Sequence, residues 1–72
     1  MLIGPDYRGC RIEVNAVADG DRWNAEVRIS QHAVHAKPHF KFVSCYKLNA
    51  ENAEHAGMLW ARQWIDSGHA RP

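Results

Sequence analysis

The sequence contains few cysteines, which limits how covalent bonds could hold it together. Its 72 residues include two, Cys10 and Cys45, whereas disulfide-built scaffolds of this length carry four or more. We expect Cys10, on the inward side of an alternating segment, to be a small core residue, and Cys45 to lie at an exposed sheet edge. We expect no disulfide between them and no nucleophilic role for either thiol.

The sequence also lacks long apolar runs and a large excess of either positive or negative charge. No segment approaches the about 20 apolar residues of a membrane span, and the first residues lack the basic leader and apolar run of an export signal. We therefore expect a cytoplasmic protein with reduced thiols and no membrane contact. The 9 basic and 8 acidic residues leave a net charge of +1, which argues against nucleic acid as a partner, because that needs a concentrated basic face.

Metal-binding and catalytic motifs are absent from the sequence as well. His32, His35 and His39 would share a face on a helix, but Pro38 favours a strand here, on which His32 points away from the other two. Five of the acidic residues fall in turns and at the ends of a helix rather than as a pair inside a pocket: Asp19, Asp21, Glu51, Glu54 and Asp66. We therefore expect no catalytic residue, no metal and no cofactor, and hence no enzyme.

What the sequence does contain is enough apolar material for one small core. The apolar fraction is 46%, with three tryptophans, two tyrosines and two phenylalanines. A domain of this size buries only about 60% of its unfolded surface, so a partner chain would add stability. We expect a single domain over residues 1–72, with an ordered core over about residues 7–67 after a loose lead-in.

Alternation of apolar and polar residues predicts three strands. The first two flank Asp19-Gly20, a strong hairpin signal. The third, over residues 39–47, has an ambiguous phase: we favour a regular strand, and the alternative is a bulge near Ser44 that switches the phase. The residues predicted to face inward are Cys10, Ile12, Val14 and Ala16; Trp23, Ala25, Val27 and Ile29; and Phe40, Phe42, Tyr46 and Leu48.

Residues 49–66 are the one clear helix. Asn49 is a good N-cap and Gly68 is the expected C′ glycine. The face predicted to contact the sheet consists of Ala53, Ala56, Gly57, Trp60 and Trp64. The predicted fold is α+β: a three-stranded antiparallel meander with one C-terminal helix packed on one face (β-β-β-α).

Three apolar helix residues are left outside the predicted core face. Met58 and Ile65 lie on one flank and Leu59 lies on the other. We expect all three to be exposed and to form the candidate partner surface. Together with the open edges of a meander, they predict a homodimer or an unidentified protein partner.

The chain contains four short motifs: Tyr7-Arg8-Gly9, Trp23-x-Ala25-x-Val27, Asn49-x-Glu51-x-Ala53 and Trp64-Ile65-Asp66. They resemble motifs of small bacterial proteins that are classed as domains of unknown function. At fold level the chain also resembles the HicB-type antitoxin domain, whose helix often opens with Thr-x-Glu-Glu-Ala, and the double-stranded RNA-binding domain. The RNA-binding family implies lysines at the start of its last helix, where this chain has Glu51 and Glu54.

The function predicted from the sequence is that of a non-catalytic interaction module that associates with itself. The alternative is a nucleic-acid-binding or antitoxin-like regulatory protein, which would use basic residues on the solvent-exposed face of the sheet. Glu13 and Glu26 on the same face would reduce its net positive charge. The basic residues concerned are Arg8, Arg11, Arg28, Lys41 and Lys47.

Overall fold

A computed structural model describes residues 1–31 and 37–68 of the chain. Within these ranges the chain forms an antiparallel sheet followed by one helix, so the predicted α+β class is confirmed. The elements are β1 (Leu2–Ile3), β2 (Cys10–Asp19), β3 (Arg22–Gln31), β4 (His39–Lys47) and α1 (Ala50–Asp66).

The sheet has four strands, so the prediction of a three-stranded sheet is wrong. The strand order is β1-β2-β3-β4, and each neighbouring pair is antiparallel. The additional strand lies in the segment expected to be a loose lead-in, where Leu2 pairs with Val14 and Ile3 pairs with Glu13. Two residues are too few to show an alternating pattern, so only the pairing with β2 identifies this strand.

The hairpin between β2 and β3 confirms the strongest local signal in the sequence. Gly20 and Asp21 form its loop, and Asp19 pairs with Arg22 across the loop mouth. Gly20 has a φ of +61°, which glycine adopts freely at the first central position of a type II′ turn. The inward residues of this hairpin form most of the core, and each is at most 3% exposed: Cys10, Ile12, Val14, Ala25, Val27 and Ile29.

Strand β4 has the opposite phase to the predicted one. Val43 pairs with the core residue Ala25, and Phe42 pairs with Glu26, whose side chain is exposed. Paired residues share a face of the sheet, so the register with β3 places the phenylalanines outside. The residues wrongly predicted to face inward are Phe40 (68% exposed), Phe42 (49%), Tyr46 (57%) and Leu48 (71%).

An irregularity is present in β4 near Ser44, where the alternative prediction placed a bulge, but it does not switch the phase, because Val43 and Lys47 pair with Ala25 and Trp23, two positions apart on β3. The β3–β4 register shifts between Trp23 and Ala25, and opposite this shift Tyr46 has a φ of +47°. The Tyr46 N–H donates to the side-chain oxygen of Asn24 at 3.0 Å, and the Asn24 amide donates to Asp19 at 3.3 Å. Asn24, which alternation places on the wet face, is 2% exposed because it satisfies the backbone of the irregular segment.

Helix α1 begins and ends where the sequence predicts. The Asn49 side chain accepts a hydrogen bond from the N–H of Asn52 at 2.8 Å, as an N-cap does. Gly68 has a φ of +87°, and its N–H donates to the carbonyl of Ile65 at 3.0 Å, as expected of a C′ glycine. Over residues 1–31 and 37–68, no helix is both long enough and apolar enough to cross a membrane.

The face of α1 that contacts the sheet is rotated relative to the predicted face. Trp60 and Trp64, expected to lock the helix onto the core, are only half-buried. Met58 and Ile65, expected to be exposed, are 7% and 6% exposed and belong to the core. The buried helix residues are Ala53, Gly57, Met58, Ala61 and Ile65.

Strand β1 and the residues after it explain this rotation. They extend the sheet beyond β2 and thereby cover the helix flank that carries Met58. Leu2 and Tyr7 pack against the same core, and Gly4 lies so close that a Cβ built on it would be 2.8 Å from Met58 Cε. The Tyr7 hydroxyl donates to the carboxylate of Asp66 at 2.8–2.9 Å, which ties this segment to the end of α1.

Gly57 allows α1 to lie directly against the two central strands. A Cβ built on Gly57 would be 2.7 Å from Val14 Cγ1 and 2.9 Å from Ala25 Cβ. Both distances are shorter than a normal carbon–carbon contact. The separation between helix and sheet is therefore set by the absence of a side chain at this position.

We expect Gly57→Ala to destabilise the protein, although alanine favours a helix. The gain in helix propensity is about 1 kcal/mol, whereas overpacking of the core costs about 1–3 kcal/mol and strands β2 and β3 cannot easily move apart. Urea denaturation should show a lower free energy of unfolding. The loss should shrink in a Val14→Ala background, where the nearest clashing atom is gone. A raised midpoint for Gly57→Ala would contradict the close approach.

Candidate interaction surface

The structure separates the three residues expected to form a partner surface. Leu59 is 59% exposed, whereas Met58 and Ile65 are buried. The prediction of an exposed stripe that contains Met58 and Ile65 is therefore wrong. Periodicity gives the relative positions of residues around a helix, but it does not show which flank another segment covers.

Two phenylalanines on β4 form an exposed aromatic pair on the sheet face opposite α1. Phe40 and Phe42 are two residues apart on a strand, so both rings project from the same face. Arg28 pairs with Phe40 across the strands, and its guanidinium carbon lies 5.9 Å from the Phe40 ring centroid. Phe40 and Phe42 together are called the aromatic pair below.

Charges on this open sheet face largely cancel. Glu13 accepts from Arg11 Nε at 3.1 Å and lies 3.9 Å from Arg28 Nη1, so one carboxylate faces two arginines. Lys41 lies on the other face of the sheet, where its Nζ is 5.9 Å from the Trp60 ring centroid. The basic residues singled out in the sequence therefore do not form one positive patch.

Strand β4 is also a long edge of the sheet. It is the last strand in the order and spans nine residues, whereas β1, at the other edge, spans two. Within the described part of the chain no strand pairs with its outer side. Free backbone N–H and C=O groups on a long edge are a template for pairing with another chain.

A stack of three rings fills the space between β4 and α1. The His39 ring centroid lies 4.4 Å from that of Trp64 and 6.3 Å from that of Trp60, with nearly parallel planes. The tryptophans thus contact β4 instead of entering the core. His32 and His35, which the sequence grouped with His39, lie outside the described residues. Among the described residues, no group of three potential ligands could hold a metal ion.

The two cysteines occupy different environments, and both are free thiols. Cys10 is 1% exposed, which confirms its prediction as a core residue. Burial raises the pKa of the Cys10 thiol, which keeps it protonated and a poor nucleophile. Cys45 is half-buried rather than exposed, and its thiol donates to the carbonyl of Trp23 at 3.5 Å.

A cleft of about 290 Å³ opens between the β1 segment and α1. Within the described residues, Arg62 Nε is enclosed without a hydrogen-bond partner. Leu59 borders this concavity, which no sequence pattern reveals, because its walls come from segments about 50 residues apart along the chain. The lining residues are Leu2, Ile3, Gly4, Pro5, His55, Met58, Leu59 and Arg62.

In comparisons with known proteins, no family model, curated protein or solved structure matches the chain. The resemblances drawn from short motifs therefore stay predictions. Any functional conclusion has to come from the surfaces themselves, of which the aromatic pair on the β4 edge and the cleft beside Arg62 are the two best defined.

Proposed function

We propose that the chain is a non-catalytic, cytoplasmic interaction module that associates with itself by pairing β4 with the β4 strand of a second copy. The observation that carries this proposal is the aromatic pair on a free edge strand. Neighbouring exposed aromatic side chains and an open strand edge are both liabilities in an isolated chain. If the β4 strands of two copies pair about a two-fold axis, the aromatic side chains and the open strand edges are both covered.

The backbone of the aromatic pair is directed toward the free edge. Asp19 and Arg22 flank a two-residue hairpin loop, so they form a hydrogen-bonded pair, and such pairs alternate along an antiparallel ladder. The backbone N–H and C=O groups of even-numbered β3 residues therefore form hydrogen bonds with β2, and those of odd-numbered β3 residues form hydrogen bonds with β4. The partner of Val27 is Lys41, so Lys41 bonds inward, and the N–H and C=O groups of Phe40 and Phe42 point outward.

A two-fold axis at Lys41 gives the register that uses these groups best. Phe40 of each copy then lies opposite Phe42 of the other, with four regular backbone hydrogen bonds between them. Each aromatic cross-strand pair contributes about 0.2–1 kcal/mol beyond its burial. The two Lys41 residues face each other at the axis, which costs a similar amount once, but each ammonium is drawn toward Trp60 of its own chain. Two aromatic pairs outweigh one pair of like charges.

We expect this association to be of moderate strength. The four half-exposed phenylalanines of a dimer contribute about 1 kcal/mol each or slightly more when covered, and the loss of translational and rotational freedom opposes this gain. With about 1 kcal/mol net from each of the four backbone hydrogen bonds, the surplus corresponds to a Kd on the order of tens of micromolar at best. Light scattering coupled to gel filtration, at concentrations that bracket this value, should show a mass that rises from monomer to dimer.

Replacement of both members of the aromatic pair, Phe40→Ser with Phe42→Ser, should leave a monomer at every concentration. Both side chains are exposed, so the circular dichroism spectrum should be unchanged. Leu59→Ser is the matched control, because it removes an exposed apolar side chain from the helix surface instead and should leave dimerisation intact. A monomeric wild-type chain, or a monomer produced by Leu59→Ser alone, would refute the β4 interface.

The register can be tested with a Lys41→Cys variant in a Cys45→Ser background. Residues that face each other in a non-hydrogen-bonded pair have Cα atoms about 4.5 Å apart, within the range that a disulfide spans. Mild oxidation should therefore give a covalent dimer. Val43→Cys in the same background should not, because the proposed register places Val43 opposite His39 of the second copy. A light-scattering dimer that fails to cross-link at residue 41 would refute the register but not the association.

A second function, binding of single-stranded nucleic acid, is favoured by one observation. Adjacent exposed aromatic rings on a sheet, with Arg28 beside Phe40, can stack bases. Against it, Glu13 engages both Arg11 and Arg28, and strong binding requires free positive charge that tracks the phosphates. An antitoxin-like regulatory role, suggested by the motif resemblance, would use the same surface.

We expect no gel shift with single-stranded or double-stranded RNA or DNA at low salt. The reason is that the arginines beside the aromatic pair are already paired, so few counterions would be released on binding. Glu13→Gln, which frees both arginines, is the informative variant and is the one in which weak binding should appear. A wild-type shift that weakens steeply with salt and disappears in Phe40→Ser would establish the nucleic-acid function instead.

A further inference from the structure

The cleft between the β1 segment and α1 has the form of a small-ligand site. Its walls are mainly apolar, with Leu2, Ile3 and Pro5 on one side and Met58 and Leu59 on the other. At roughly 30 Å³ per water-sized group, its volume of about 290 Å³ accommodates about ten non-hydrogen atoms. Small-molecule sites are typically apolar concavities with a few polar groups that orient the ligand.

One cationic group at the wall of this cleft has no counterion among residues 1–31 and 37–68. Arg62 is half-buried and forms no ion pair with a described residue, and its guanidinium carbon lies 5.6 Å from the Tyr7 ring centroid. The carboxylate one turn further along α1, Asp66, is engaged by Arg8 at 2.9 Å and by the Tyr7 hydroxyl. A half-buried charge without a partner is unfavourable, so an incoming anion would be stabilised there.

Two further ionisable side chains on α1 near the cleft, His55 and Glu54, do not oppose an anion. His55, the other polar side chain that lines the cleft, carries no negative charge in either protonation state. Glu54, on the adjacent position of α1, is neutralised by the Met1 amino group at 3.2 Å. Arg62 therefore determines the sign of the charge that this cleft accepts.

We propose that this cleft binds a small unbranched monocarboxylate of about eight carbons in all, the size that its volume accommodates. The carboxylate meets the guanidinium of Arg62, and the hydrocarbon chain lies between the β1 segment and the helix residues Met58 and Leu59. The combination accounts for an arginine that borders a mainly apolar concavity and has no carboxylate partner in the described part of the chain. This site is independent of the β4 edge, which lies at the far side of the sheet.

Titration of the ¹⁵N-labelled protein with octanoate tests the proposal, with backbone amide shifts as the readout. Saturable shifts should centre on Gly4, Leu59 and Arg62. Octanol has the chain without the charge and acetate has the charge without the chain, so each should bind at least about tenfold more weakly. An equal affinity for octanol, or the absence of saturation with octanoate, would overturn the proposal.

Two variants locate the binding determinant. Arg62→Gln should weaken octanoate binding about tenfold or more, whereas Arg62→Lys, which keeps the charge, should retain most of it. Because Arg62 also packs on Tyr7, Leu59→Glu provides a second route: it adds a carboxylate at the rim of the cleft and should weaken octanoate but not octanol. Ala18→Glu, the same charge outside the cleft, should leave both affinities unchanged. Unaltered octanoate binding in Arg62→Gln and Leu59→Glu would refute the site.

Discussion

The close contact between Gly57 and the centre of the sheet is the constraint on which the rest of the structure depends. With no side chain at this position, the helix backbone rests against Val14 and Ala25. Ala53 and Ala61, one turn away on either side, are fully buried and prolong the same close approach. A helix this near to a sheet leaves little room for large side chains directly beneath it, so bulky residues must lie along its two flanks.

How deeply the residues on each flank of α1 are buried then depends on how far the sheet extends on that side. On the β2 side, the segment that contains β1 contacts Met58, and Leu2 and Tyr7 pack against the core cluster to which Met58 and Ile65 belong. On the β4 side the sheet ends, so Trp60 and Trp64 are covered only in part, by His39 and Lys41. The same asymmetry produces the cleft beside β1 and leaves β4 as the long open edge.

Sequence reasoning succeeded where the signal is local. The Asp19-Gly20 hairpin, the Asn49 N-cap, the Gly68 C′ position and the inward residues of β2 and β3 each depend on neighbours within a few positions. It failed for β4, where two phenylalanines outweighed Val43 in the estimate of which side faces the core. Hydrophobicity is a poor guide to the phase of an edge strand, because one of its faces is open and its register is set by the neighbouring strand.

The sequence by itself determined strands β2 to β4, helix α1, their order and the small-residue stripe that brings α1 against the sheet, because backbone propensity, caps and periodicity are properties of short segments. Only the tertiary structure decided which apolar residues are surface. Met58 became core because residues more than 50 positions away cover it, and Phe40 and Phe42 became surface because β3 fixes their register. Both candidate sites, the aromatic pair and the Arg62 cleft, consist of residues whose exposure depends on such long-range contacts, so local pattern could not identify them.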